Sequence, residues 1–217
     1  MGFVIAVDGP AASGKGTVAS GLASLYGLAH LDTGLLYRAV GHALSVVGAD
    51  LDDAVVATDA ARHLDPHDLD DPALRARAAG EAASRVAVHA EVRAALLDFQ
   101  RAFAAHEPGA VIDGRDIGTV IAPDAPAKLF VTARPEVRAE RRWRQLVGQG
   151  EAVALEEVLA DIRLRDQRDS ARSAAPLVQA TDAVLLDTSE MTIDEAADAA
   201  RRIVEAARAR WEASQKG

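Results

Sequence analysis

The chain contains no cysteine and no asparagine, and lysine is reduced to Lys15, Lys128 and Lys216. Without cysteine, disulfide scaffolds, thiolate-bound zinc and thiol nucleophiles are excluded together. No stretch approaches the ~20 apolar residues that a membrane span requires, and Met1 to Val7 carries neither a basic leader nor a long apolar run. The expectation is therefore a cytoplasmic protein with no membrane partner. A net charge of -9 runs against nucleic-acid binding, which draws on a basic surface to release counterions. At 217 residues the chain is sized for a single domain with one large core and room for an insertion.

What is present alternates. Phe3 to Val7 is a short apolar run ending in Asp8-Gly9-Pro10, the pattern of a buried parallel strand entering a turn, and a helix is predicted from about Lys15. Similar runs recur at Ala110 to Ile112, Leu129 to Thr132 and Ala183 to Leu186, with Leu28 to Leu31 a weaker candidate. Helical periodicity separates most of them. The last helix keeps Ile193, Ala196, Ala200, Ile203, Val204 and Ala207 on one face, and Thr192 with Glu195 predicts a capping box. Strands alternating with helices predict an α/β three-layer sandwich around a parallel sheet of about five strands. Residues 35–106 break the rhythm, since they offer helical periodicity without a convincing strand, and read as a helical insertion in a core of residues 1–34 and 107–217. Within it, the Asp- and Pro-rich stretch Asp65 to Pro72 reads as a loop.

The segment Gly9, Pro10, Ala11, Ala12, Ser13, Gly14, Lys15, Gly16, Thr17 follows a predicted strand and opens a predicted helix. Glycines bracketing four residues let backbone N–H groups turn inward around phosphate oxygens, the helix N-terminus adds a positive dipole, and Lys15 reaches the outer phosphates of a nucleotide such as ATP. The residue after Lys15 is Gly16 where the motif usually has Ser or Thr, and the hydroxyl moves to Thr17. That leaves two readings of the hydroxyl, a water-bridged Mg²⁺ or a contact to an inner phosphate. The absence of asparagine removes the motif that reads guanine in GTPase switches.

Arginine supplies 21 of the 24 basic residues, and many fall where a phosphorylated acceptor would need them. A phosphate monoester, with a second pKa of about 6, is already mostly dianionic at neutral pH and needs guanidinium groups more than a general base. Arg38 follows Asp32-Thr33-Gly34; Arg115 and Asp116 follow a strand in Asp113-Gly114-Arg115-Asp116, at the sheet edge where α/β ligands bind. Arg134, Arg138, Arg141 and Arg142 predict one cationic helical stripe, and Arg165, Arg168 and Arg172, with Asp169 among them, a second.

The P-loop, Leu31 to Arg38, Asp113 to Thr119, Pro123 to Pro126 and Arg165 to Arg172 together resemble bacterial cytidylate kinases, in order and at similar spacing. The resemblance implies an enzyme that transfers the γ-phosphoryl group of ATP to CMP or dCMP with Mg²⁺, as a monomer. It implies CMP contacts from Thr33, Arg38, Ser84, Arg93, Asp113, Arg115, Asp116, Arg165, Asp169 and Arg172, with Ser84, Arg93 and Asp116 against cytosine. Catalytic charge would come from Lys15, Arg115, Arg138, Arg142 and Arg172, a lid from residues 134–151, and ordering of a hydrated Mg²⁺ from Thr17 or Asp113. Longer members carry extra strands in the insertion, for which Leu64 to Ala79 is too short and polar. Contacts from those strands do not carry over. A kinase for UMP or shikimate, or an ATP-binding module without catalysis, are the alternatives.

Overall fold

The computed structural model of the protein describes residues 2–216. The apolar runs form five strands, β1 (Phe3–Asp8), β2 (Ala29–Asp32), β3 (Gly109–Gly114), β4 (Ala127–Thr132) and β5 (Val184–Asp187). All are parallel, in the order β2-β3-β1-β4-β5. Strands covered on both faces need apolar residues at every position, which is why β1 and β3 read as continuous runs. Along β1, Phe3, Ile5 and Val7 pack against α1 (Lys15–Tyr26) and α8 (Ile193–Ser214), while Val4 and Ala6 join Ile112, Ile117 and Ile121 on the other face. Each such fully buried Val or Ile contributes about 1.5–3 kcal/mol. Helix α8 opens with the predicted capping box, Thr192 and Glu195 each satisfying the other's backbone amide.

Between β2 and β3 the chain forms α2 (Thr33–Val46), α3 (Ala54–Arg62), α4 (Arg77–Val86) and α5 (Ala90–Ala104). They share a second core around Leu36, Val40, Leu44, Ala57, Val86 and Val92. Helices α2 and α4 approach closely because Gly41 has no side chain; a Cβ there would sit 2.7 Å from Ala82 Cβ. The stretch expected as a loop is instead two 3₁₀ turns, Pro66–Asp70 and Pro72–Arg75. Asp65 and Asp71 accept from the amides of His67 and Ala73 at 2.9 and 2.8 Å, with proline at the first turn position. Aspartate followed by proline is a helical start signal, and the polar composition hides it.

Helices α6 (Pro135–Gly148) and α7 (Leu155–Ala171) follow β4 and pack through Ala139, Leu146, Val158 and Ile162. The chain leaves β1 toward β2 on one side and leaves neighbouring β3 toward β4 on the other, so the direction of progression reverses between β1 and β3. Such a reversal opens a crevice at the carboxyl edge, and β1, β2 and β3 all deliver charged residues there. Among the described residues no helix is long and apolar enough to cross a membrane.

Candidate active site

Beyond β1 the backbone makes turns that few residues tolerate. Gly9 has φ 154°, and a Cβ there would lie 2.0 Å from the Val131 carbonyl oxygen. Ala12 and Gly14 take left-handed φ of 59° and 90°, so the loop curls on itself before α1 begins at Lys15. Left-handed geometry at a residue with a side chain is strain of the kind functional loops store. Three clamps hold the loop from behind. Arg138 donates to the Ala11 carbonyl oxygen at 3.2 Å, Arg141 binds Thr188 Oγ1 at 3.0 Å, and that hydroxyl donates to the Ser13 carbonyl oxygen at 3.0 Å. These bonds hold the Ala11 and Ser13 carbonyls in place.

In front of the loop lies a cavity of about 820 Å³, bordered by residues 11–17 and by Asp32, Arg38, Arg142 and Arg165. Lys15 stands on its floor, its pKa pushed down to about 8 by burial and by the nearby Arg115 charge. Asp32 and Asp113 occupy paired register positions at the ends of β2 and β3. Burial and the Asp113 charge raise the Asp32 carboxyl, with Lys15 acting in the opposite sense. His30 donates from Nε2 to Asp113 Oδ1 at 2.8 Å and fixes that carboxylate's orientation.

Beside this cavity is a smaller one of about 40 Å³, bordered by Thr33, Ser84, Arg93, Asp116, Arg165 and Arg172 among others. Its wall is a lattice of charges. Asp169, 1% exposed, accepts from Arg115 Nε at 2.9 Å and from Arg172. Burial pushes its carboxyl up, but Arg115, Arg172 and Arg165 outweigh burial and hold it below the usual carboxylate range. Arg93 pairs with Asp116 at 2.5 Å and lies over the Tyr37 ring. Positive charge exceeds negative here: Arg165 is pushed down to about 9 by burial and by Arg115, with Arg38 and Arg172 adding to the effect. Ser84 Oγ, Arg165 Nε and Arg172 Nε and Nη1 are buried without a hydrogen-bond partner among the described residues. Buried donors without acceptors mark a surface shaped for an anionic or polar ligand.

Most of the residues singled out in the sequence converge. Residues 11–17 and Arg38 border the large cavity, Thr33, Ser84, Arg93, Arg115, Asp116, Asp169 and Arg172 the small one, and Arg165 both. The arginines of α6 depart from the single stripe. Arg134 pairs with Glu190, Arg138 is 3% exposed and held by Asp166 at 2.6 Å, and only Arg142 faces the cavity. Arg138 is thus a brace behind the P-loop rather than a group facing the cleft. Thr33 also has a structural partner, since its hydroxyl donates to the Asp113 carbonyl oxygen at 2.9 Å. Sequence reasoning missed His30 and the Arg77–Asp161 ion pair at the cavity mouth. His30 and Asp32 are two apart on one strand, a spacing that signals a shared face; Arg77 and Asp161 are 84 residues apart and carry no such signal.

The family model for cytidylate kinase matches residues 5–206. A cytidylate kinase of Caulobacter vibrioides (strain NA1000 / CB15N) is 73% identical over 210 residues, covering 97% of this chain and 99% of that protein. One from Caulobacter sp. (strain K31) is 71% identical over 211 residues, covering 97% and 98%. Among solved structures, an uncharacterized protein from Eubacterium ventriosum ATCC 27560 superposes with a TM-score of 0.54 at 16% identity, covering 94% of this chain and 98% of that one, a likeness of fold.

Proposed function

The chain belongs to the cytidylate kinase family, and on that premise we propose that this nucleoside monophosphate kinase phosphorylates CMP and dCMP from ATP in a cleft between the P-loop and the arginine lattice. The observation that carries the reading is the cationic surplus beside the P-loop. Arg115, Arg38 and Arg172 all act on Arg165, with Asp169 opposing them, and together with burial, the larger cause, they leave Arg165 holding its proton less firmly than an ordinary arginine. A dianionic acceptor phosphate relieves that repulsion.

In this reading the P-loop amides and Lys15 hold the ATP phosphates. Arg38 and Arg115 present an acceptor oxygen in line with the γ-phosphorus, and Arg142 and Arg172 stabilise charge spread over the transferring group. Ser84, Arg93 and Asp116 read the cytosine edge, where a carboxylate accepts from the exocyclic amine and Ser or Arg donates to the carbonyl oxygen and ring nitrogen. Asp32 and Asp113, adjacent acidic side chains beside Lys15, fit a hydrated Mg²⁺ with Thr17; such an ion would screen the phosphates' negative charge. The helices of residues 35–106 serve as the acceptor-binding part; within residues 134–151, Arg138 and Arg141 are tied to the P-loop side, so the lid that excludes water is the part beyond them, where Arg142 borders the cavity. The family premise fits a monomer, and a chain without cysteine fits a reducing cytoplasm.

The test is ADP formation from Mg·ATP with CMP, dCMP, UMP, AMP and shikimate offered separately. Strong preference for CMP and dCMP is expected; equal use of UMP would remove the cytosine pocket from the reading, and turnover with none would remove the reaction.

A further inference from the structure

The two halves of the cleft are joined by a residue that faces neither cavity. Asp8 ends β1, immediately before Gly9 of the P-loop, and is 4% exposed. Its carboxylate spans two consecutive amides, Oδ1 accepting from Ile117 N and Oδ2 from Gly118 N, both at 2.7 Å. Those amides open the π-helical turn Ile117–Ile121, which directly follows Arg115 and Asp116. Asp116, which precedes the turn, makes no side-chain cap to it, so Asp8, about 110 positions earlier in the chain, takes that role. The fit is tight. A Cβ on Gly118 would lie 3.3 Å from Asp8 Oδ2 and 3.2 Å from the Lys128 stem.

The geometry points to Asp8 as a positioning residue that sets the register of the Arg115–Asp116 segment against the P-loop, and so places the acceptor relative to ATP. The inference rests on the proposed assignment of Arg115 and Asp116 to the acceptor side. An ionised carboxylate suits two facing N–H groups, whereas a protonated one turns an O–H against one of them. Burial pushes the Asp8 carboxyl up to about 6, with the two amides opposing burial; of the charged neighbours, Asp116 raises it and Arg115 lowers it. Lys128, the cation whose stem borders Gly118, is committed through Nζ to Asp182 at 2.7 Å. Ionisation at neutral pH thus works against folding stability while holding the acceptor segment, and protonation below pH 6 releases the segment.

The experiment compares wild type with Asp8→Asn, Gly118→Ala and Arg115→Ala, measuring KM for CMP and for ATP from pH 5 to 8. Asp8→Asn is expected to raise KM for CMP at least tenfold at pH 8 while KM for ATP stays within about twofold, and Gly118→Ala to give the same split in milder form. The ratio of wild-type to Asp8→Asn kcat/KM for CMP should fall toward one as pH drops below 6, because titration of the CMP phosphate is common to both and cancels. A ratio that stays flat with pH, or KM values for the two nucleotides that rise together, overturns the inference. If Asp8→Asn does not fold, Gly118→Ala alone decides by the same split. Arg115→Ala separates two failures: if it leaves KM for CMP unchanged, the acceptor-side assignment falls and this inference with it. If it raises KM for CMP and Asp8→Asn does not, only the role of Asp8 falls.

Discussion

The two sides of the cleft hold charge by different means. The P-loop side is built from the backbone of one continuous segment, residues 9–17, curled by Gly9, Ala12 and Gly14 and braced from behind by Arg138, Arg141 and Thr188. The other side, which we propose binds the acceptor, is built from side chains delivered by α2, α4, α5, α7 and the end of β3, and it is held by ion pairs among them. Backbone donors are fixed once the fold forms, so that side needs only Lys15 as a mobile charge. Guanidinium groups have long stems, and Asp169 anchors Arg115 and Arg172 while Asp116 anchors Arg93. One side is organised by conformation, the other by electrostatics.

Lys15→Ala should give the largest effect, a drop in kcat of about 10²–10³-fold, because it removes the one side-chain cation of the P-loop segment, where we propose the ATP phosphates bind. Turnover close to wild type would mean the backbone alone suffices. On the other side, Asp169→Asn should destabilise the fold by about 3 kcal/mol, since it strands the largely buried Arg115 and the buried Arg172 without their counter-charge. A urea melt that matches wild type would show that the lattice does not anchor itself through Asp169.

A third difference lies in pH. Lys15 has a pKa of about 8 in the folded chain against 10.5 ordinarily. Between those values the unfolded chain binds the proton and the folded chain does not, so this group favours folding more as pH rises through that window. The stability of Lys15→Met relative to wild type should therefore decline between pH 7.5 and 10, in denaturant melts without nucleotide; a constant difference breaks the argument. The smallest effect belongs to Arg77→Ala. Its pair with Asp161 has the same chemistry as the Asp169 lattice at a solvent-exposed cleft mouth, and the loss should stay within about 1 kcal/mol. If it equals that of Asp169→Asn, burial is not what distinguishes the two.

The same contrast governs what the sequence discloses. The P-loop is legible because its geometry depends on residue types at fixed local spacing, and the strands are legible because burial on both faces forces continuous apolar runs. Arg115 and Asp116 could be placed at the sheet edge from Asp113-Gly114-Arg115-Asp116 alone, since parallel strands end at one edge. Which partner each charge takes was not legible. Arg138 and Arg142 are four residues apart on one helix, yet one is locked to Asp166 while the other reaches the cavity, a result of where α7 lies. The 3₁₀ turns at 66–75 escaped because Asp-Pro signals were outweighed by composition.

Trp143 sits where α6 and α7 meet. It packs in the cluster that includes Ala12 of the P-loop, and its indole N–H donates to the Val153 carbonyl oxygen at 3.0 Å, in the segment joining the two helices. Trp211, the chain's other tryptophan, lies behind the sheet with its ring centroid 5.3 Å from that of Phe3. The molecule therefore carries one emitter packed with the P-loop and one packed against Phe3 at the start of β1. Replacing Trp211 by phenylalanine leaves a single intrinsic fluorophore whose spectrum follows the P-loop and the α6–α7 joint in real time, without any attached dye.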